Sequence, residues 1–329
     1  MTARCGVLLL TFGSAVTADE VPAYLRSLRG GTDPDPTLIV EFQRRFRIIG
    51  RSPLIEITEA QARDLQRLLD ERHGAGRYTV GVGMQHSEPR IAGAIDRMAA
   101  DGVSPILAIV LAPQYSPLVL AGYERAVDSA RSRHPGLEIA VARAWHTIPG
   151  WIESLCQRLS EALVDAGSDP LRPVPVVFTA HSLPRSVIDR DPGYLEQLHE
   201  TVSAVVDRLG LQEGSWRFAW QSAGHTPAEW LKPDLLDVLP DLAAAGASEV
   251  LVAPVQFVAD HLETLYDIDV AAREQAEEHG LRFHRIAMPN SSPAFVRGLA
   301  EVVERELAGA ATAWPGSETR DRGARVKTR

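Results

Sequence analysis

Asp260, Glu263 and Asp267 follow the apolar run Glu249-Val250-Leu251-Val252-Ala253, and their spacing of three and four residues predicts one shared helix face. Like charges at that spacing cost about 0.2–0.5 kcal/mol per pair, so helix stability alone does not select them. A row of carboxylates beside His261, at the end of a buried strand, suits the handling of a cation or of protons. His181 ends a second apolar run, Val176 to Ala180, and is followed by Ser182, Leu183 and the turn-fixing Pro184. From there it projects into a cleft or caps loop carbonyls, and position alone leaves both open. Imidazole suits Fe, Zn, Ni and Cu, and carboxylates suit harder cations. His181 with Glu263 would thus form an open N/O site for a borderline divalent metal, whereas the lack of paired thiolates argues against a closed structural zinc site. His73, His134 and His279 sit where helices should end and favour the helix dipole. His199 falls within a helix and His225 in a loop, and His261 is either a second ligand or faces away from Glu263.

Eight short apolar runs must position these groups: Gly6–Phe12, Tyr78–Met84, Pro105–Ala112, Glu138–Arg143, Pro175–Ala180, Arg217–Gln221, Glu249–Ala253 and Arg282–Ala287. Helical patterns lie between them, and runs such as Ile106–Leu111 are apolar on both faces, as buried parallel strands are. The alternation implies an α/β layered architecture. Thr17-Ala18-Asp19-Glu20 reads as a capping box opening a helix from Ala18 to Leu28, ended by Arg29-Gly30-Gly31. Gly31 to Pro53 reads as an excursion over the sheet edge. A break near His146–Trp151 divides the chain into residues 1–147 and 148–307, the second half repeating the strand–helix pattern of the first. Residues 308–329 lose periodicity and are expected to form a disordered tail.

In open parallel sheets ligands bind at the carboxyl ends of strands. Here those ends carry Phe12-Gly13-Ser14, Gln85-His86-Ser87, Pro113-Gln114-Tyr115-Ser116, His181-Ser182 and Gln221-Ser222, so the expected site is a cleft between the two halves. Gly81-Val82-Gly83 lacks the spacing of a dinucleotide fingerprint, and the residues around Ser182 lack the Gly-x-Ser-x-Gly frame of a nucleophile elbow.

The chain has 329 residues, 45% of them hydrophobic, and a formal net charge of -9. That describes a globular protein long enough for two domains and argues against nucleic acid as a partner. Its two cysteines, Cys5 and Cys156, make no disulfide framework, so a reducing, cytoplasmic setting is expected. Gly6–Phe12 is too short for a signal peptide's apolar core, and no apolar run approaches the roughly 20 residues of a transmembrane span.

Six ordered segments carry a resemblance: Leu10-Thr11-Phe12-Gly13-Ser14; Ser52-Pro53-Leu54 with Ile57 to Gln61; Ala112 to Ser116 with Tyr123; Ala180 to Pro184; Trp220 to Gly224 with Trp230 to Pro233; and Phe257 to Asp267. Across Gly6 to Leu307 the chain resembles the ferrochelatase family, which inserts Fe2+ into a porphyrin. The resemblance implies two Rossmann-like, chelatase-type domains, each a four-stranded parallel sheet flanked by helices, with the porphyrin in the cleft between them. It implies His181 and Glu263 as the catalytic and metal-binding pair, with His86 and Asp267 in secondary roles. It matches Phe12, Arg29, Arg45, Phe46, Ser52 and Tyr123 to porphyrin-binding positions, and Arg forks do suit propionates. Residue by residue, Arg29 could equally be a helix C-terminal charge and Arg45 part of a solvated basic face.

The loop Gln221–Thr226 and the ending Met288-Pro289-Asn290 look closest to the soluble bacterial branch, which uses coproporphyrin III. The expected reaction is Fe2+ insertion into coproporphyrin III in haem biosynthesis, by a monomer with porphyrin and ferrous iron as its partners. The rivals are a protoporphyrin IX ferrochelatase, a cobalt- or nickel-inserting chelatase and a catalytically silent haem-binding paralogue. Some bacterial relatives hold a [2Fe-2S] cluster on four cysteines, mostly near the C-terminus. With no cysteine after Cys156, no cluster is expected here. Two departures stand out. Phe12 occupies a position where the coproporphyrin branch often has a metal-ligating Tyr. Ala271 stands where the family has a carboxylate one turn along the acidic helix.

Overall fold

The computed structural model describes residues 4–169, 173–224 and 227–313. In the first half, β1 (Cys5–Thr11) is followed by α1 (Val21–Leu28), α2 (Pro36–Ile49) and α3 (Leu54–His73). Then come β2 (Tyr78–Met84), α4 (Ile91–Ala100), β3 (Ile106–Val110), α5 (Ala121–Arg133) and β4 (Ile139–Val141). The second half runs α6 (Pro149–Asp165), β5 (Val176–His181), α7 (Arg185–Arg190), α8 (Gly193–Leu209), β6 (Trp216–Gln221), α9 (Leu235–Ala244) and β7 (Glu249–Pro254). A π-helix (Glu263–Ala272), α10 (Arg273–Glu278), β8 (Arg282–Arg285) and α11 (Pro293–Ala313) complete it.

The strands form two four-stranded sheets, ordered β2-β1-β3-β4 and β6-β5-β7-β8. Every pairing is parallel, with Val7 opposite Val80 and Leu107, and Val177 opposite Arg217 and Val252. In each sheet the chain leaves the first strand to one side and returns on the other. The topological switch points therefore lie between β1 and β3 and between β5 and β7, where open α/β sheets bind ligands.

One buried core runs through both halves. It joins Val7 and Leu9 of β1, Leu65 of α3, Phe178 of β5 and Phe295 of α11. Trp145, Trp151 and Phe295 meet with ring centroids 5.9–6.2 Å apart at its centre. Helix α11 crosses α6 where Gly150 and Gly298 face each other, and a Cβ on Gly150 would collide with the Gly298 backbone. The opposite sheet faces are covered by α4 and α5 and by α9, α10 and the π-helix. Among the described residues no helix is long and apolar enough to cross a membrane.

Several local expectations change. Ala18–Glu20 is a 3-10 turn, and Thr17 makes no side-chain cap; Glu20 accepts instead from the Val16 N–H at 2.8 Å. The excursion from Gly31 to Pro53 contains α2, whose Asp35 caps it by accepting from the Thr37 N–H at 2.7 Å, with Pro36 at the first turn. The acidic row is not one face of an α-helix: Asp260 precedes the helix, and the helix itself winds as π. Helix α11 continues past Leu307 to Ala313, while residues 314–329 lie outside the described part of the chain.

Candidate active site

His181 ends β5, and its position is fixed from both sides. Its backbone N–H donates to Gln256 Oε1 at 2.7 Å across the β5/β7 switch point, and Gln256 Nε2 donates to the buried Tyr194 hydroxyl at 2.5 Å. On the ring, Nδ1 lies 2.5 Å from the Ser182 carbonyl. A carbonyl only accepts, so Nδ1 carries the proton and Nε2 presents its lone pair. That Nε2 is 3.7 Å from Glu263 Oε1, and the other carboxylate oxygen is 3.5 Å from His261 Nε2. His261 repeats the device, with Nδ1 facing the Ala259 carbonyl at 3.1 Å. Glu263 thus lies between two imidazole rings whose Nε2 atoms face it: a neutral ring presents a lone pair there, and a protonated ring donates to the carboxylate.

The separations carry chemical meaning. Two donors each about 2.1 Å from a tetrahedral divalent cation stand about 3.4 Å apart, close to the His181–Glu263 and His261–Glu263 spacings. Among the described residues no group of three or more His, Cys, Asp or Glu closes into a metal site. A pair of donors with open positions suits a cation in transit better than one held permanently.

Glu263 is sunk in the protein yet keeps 34% of its side chain open to the cleft. Burial raises its proton affinity, but the imidazolium forms of His181 and His261 outweigh that and hold its pKa at about 2. Asp267, one turn on, moves the other way. Burial raises its pKa and the charge of Glu263 adds to this, against the Ser222 hydroxyl and the Arg45 guanidinium. The two carboxylates therefore differ in proton affinity, the inner one ionised and the outer one more basic than usual.

Arg45 reaches Asp267 Oδ1 at 3.3 Å and Glu41 Oε1 at 2.9 Å, and lies over the Tyr266 ring at 5.0 Å. Arg44 bonds Glu41 and the Tyr266 hydroxyl beside it. These groups, with His181, Glu263, Lys232, Asp237 and the strand-end residues Gln221 to Gly224, line a cavity of about 670 Å³. That volume lies within the range of small-molecule sites. Its walls are α2, the strand ends of the second sheet and the start of α9, with the π-helix between them.

Of the residues singled out by sequence, His181, Glu263, Asp267 and Arg45 meet in this cavity. Phe12, Arg29, Phe46, Ser52, Tyr123 and His86 do not line it. Phe46 is fully buried in a small cluster with Ala15, Val21 and Leu25, so its ring serves packing. Ser52 is 2% exposed and is placed by its backbone N–H donating to the Val16 carbonyl. Arg29 is the exposed C-cap of α1, where its charge favours the helix dipole. Phe12 is 43% exposed beyond β1, with its ring 4.6 Å from that of His86. His86 is held by Ser27 Oγ at 3.1 Å, and its pKa is lowered by burial and by Arg90. Tyr123 is buried, which raises its phenol pKa.

Sequence reasoning did not single out Arg44 and Lys232 as parts of the site, whereas it placed Ser222 at a strand end of the expected cleft. Tyr24 does not line the cavity; burial raises its pKa first, then the charge of Glu263, then Tyr123. Ser222 adopts φ 57°, a left-handed conformation that costs a non-glycine residue energy and is often found at functional sites. No signal in the sequence marks that conformation.

Comparison with known proteins identifies the family of the chain. The family model described as Ferrochelatase matches residues 4–307. A ferrochelatase from Herpetosiphon aurantiacus is 37% identical over 92% of this chain and 99% of its own length. A coproporphyrin III ferrochelatase from Geobacillus thermodenitrificans is 36% identical over 92% and 96%, and one from Bacillus subtilis is 32% identical over 92% and 98%. Among solved structures, the sirohydrochlorin chelatase SirB from Bacillus subtilis subspecies spizizenii in complex with cobalt shares the fold. Its TM-score is 0.52 at 12% identity, over 94% of this chain and 98% of that one. The strand-end site and these relatives lead to one conclusion: the chain belongs to the ferrochelatase family, enzymes that insert iron into a porphyrin.

Proposed function

We propose that this ferrochelatase acts on coproporphyrin III, with His181 and Glu263 as the groups that handle iron and pyrrole protons. The observation that carries this reading is a cavity lined by the His181–Glu263 pair and by cationic side chains from two separate elements. Arg44 and Arg45 come from α2, and Lys232 from the run-in to α9. Coproporphyrin carries four propionates around its periphery and protoporphyrin two, so cations supplied by more than one element favour the former. Coproporphyrin III ferrochelatases among the relatives add support.

Insertion exchanges two pyrrole protons for one Fe2+, so the site must accept two protons while delivering the cation. His181 Nε2 has a free lone pair, and Glu263 is ionised at neutral pH. Asp267 behind it has the higher proton affinity and receives protons on their way to solvent. Cleft walls that grip a puckered macrocycle more tightly than a flat one lower the barrier to metal entry. Phe12 offers no oxygen to the metal, so the product is held without a phenolate bond from that position.

His181→Ala should lower turnover of coproporphyrin III and Fe2+ by about 10²–10⁴-fold in an anaerobic insertion assay. Near-normal turnover would remove His181 from the chemistry. Equal or better kcat/KM with protoporphyrin IX would overturn the substrate assignment alone.

The same reading has the enzyme as a cytoplasmic monomer without an iron–sulfur cluster. Two cysteines cannot furnish the four thiolates of a [2Fe-2S] centre. Among the described residues the exposed large apolar side chains, Phe12, Val40, Ile48, Val164 and Leu236, are spread over four segments. Light scattering that gives a dimer mass, or a visible absorption band in freshly purified protein, would contradict it.

A further inference from the structure

The π-helix that carries Glu263 and Asp267 is gripped on its other side by one residue that never touches the cavity. Arg285, at the end of β8, is 11% exposed. Its Nε and Nη2 donate to Asp269 Oδ1 and Oδ2 at 2.7 and 2.8 Å, a bidentate pair within the π-helix. The same Nη2 lies 3.2 Å from Asp260 Oδ1, in the loop that leads into that helix. Nη1 donates to the Ile286 carbonyl at 2.9 Å, which fixes the plane of the guanidinium. Asp260 is held from a second direction by Asn290: its N–H donates to Asn290 Oδ1 at 2.9 Å, and Asn290 Nδ2 donates to Asp260 Oδ2 at 2.8 Å. The Asn290 carbonyl in turn accepts from Gln61 Nε2 of α3 at 2.9 Å, which ties the assembly to the first sheet's domain.

One planar fork therefore bridges residues 260 and 269, and His261 and Glu263 lie between those anchors. A π-helix is rare, and nothing local to the sequence fixes where it begins. The guanidinium sets the separation of the loop from the helix, and with it how far Glu263 reaches toward His181. Lysine could not do this, because a point charge has no bidentate geometry.

We propose that Arg285 is a positioning residue for iron insertion, acting through Asp260 and Asp269 to hold the Glu263 carboxylate between His181 and His261. This rests on the reading that His181 and Glu263 handle iron. Residues that orient metal-handling side chains from behind typically contribute about 10–100-fold in affinity or activity.

The test is anaerobic Fe2+ insertion into coproporphyrin III by the full chain, with Arg285→Ala, Arg285→Lys, Glu263→Gln and the Glu263→Gln/Arg285→Ala double variant. Arg285→Ala should lose about 10–100-fold in kcat with the porphyrin KM unchanged, and free guanidinium ion should recover part of the loss. Arg285→Lys should lie between Arg285→Ala and the parent. In the Glu263→Gln background, removing Arg285 should cost nothing further, since it acts through the carboxylate already neutralised. Wild-type kcat in Arg285→Ala, or losses that multiply in the double variant, would overturn the proposal. Wild-type turnover in Glu263→Gln would overturn the role of Glu263 itself, whatever Arg285→Ala does. If Arg285→Ala does not fold, Asp269→Asn loosens only the helix side of the clamp. A kcat loss at constant KM there supports the proposal, and unchanged kcat overturns it.

Discussion

At the scale of residues, the site works by giving similar groups different environments. Glu263 faces two imidazoles and ionises easily, whereas Asp267 is buried beside that negative charge and holds its proton more tightly. Glu263→Gln should lower kcat for iron insertion by about 10²-fold or more while porphyrin affinity, followed by fluorescence quenching, stays within a few-fold. The two thiols make a separate prediction. Burial raises Cys5 and Cys156 to about 11. The thiolate is the nucleophile, so both thiols stay protonated and slow at pH 7.5. Iodoacetamide labelling followed by mass spectrometry should accelerate only as pH rises toward 11; rapid labelling of either at neutral pH would contradict this placement. Of the site, His181 and Glu263 were legible as residues because each follows a continuous apolar strand. Phe46 packs in a small apolar cluster, a setting that a run such as Arg44-Arg45-Phe46-Arg47 does not distinguish from a ligand-facing one.

At the scale of elements, α2 and the π-helix matter most, since they bring Arg45 and Asp267 together. Asp35 caps α2, and Asp35→Ala should lower stability and raise the porphyrin KM more than it lowers kcat. A titration in urea with paired kinetics checks both. The Asp35-Pro36 start signal was present in the sequence, but the surrounding Pro and Arg residues masked the helix behind it. The π-helix left no such signal. The residues that hold its lead-in at Asp260, Arg285 and Asn290, lie well downstream. At the α6–α11 crossing, Gly298→Ala must push two backbones apart. It should destabilise by about 1–3 kcal/mol, read as an earlier urea midpoint, with normal kcat in the folded fraction.

At the scale of the whole molecule, the two sheets do not have separate interiors. Val7 and Leu9 of the first sheet belong to the same buried cluster as Phe178, Leu251 and Phe295 of the second half. Calorimetry should therefore show one unfolding transition, and two resolved transitions would contradict a shared core. Trp151→Ala, at the centre of that cluster, should cost about 3–5 kcal/mol and lower the stability of both halves together. A shared core also keeps the cleft's two walls in fixed relation, so the rim cations of α2 face the strand ends of the second sheet.

The α/β class, the eight strands and the polar character of the strand ends were legible in the order of residues alone. Those features depend on local periodicity and on which short runs are apolar on both faces. The sequence also drew attention to His181, because a strand's end is visible where the apolar run stops, and to Glu263 through its spacing from Asp260 and Asp267. Only the tertiary structure decided which carboxylates face which partner. Asp260 turns to Arg285 and Asn290, Asp269 to Arg285, and Glu263 to His181 and His261. Helical spacing records which residues could share a face; the helix's winding and its distant charged partners determine which ones do.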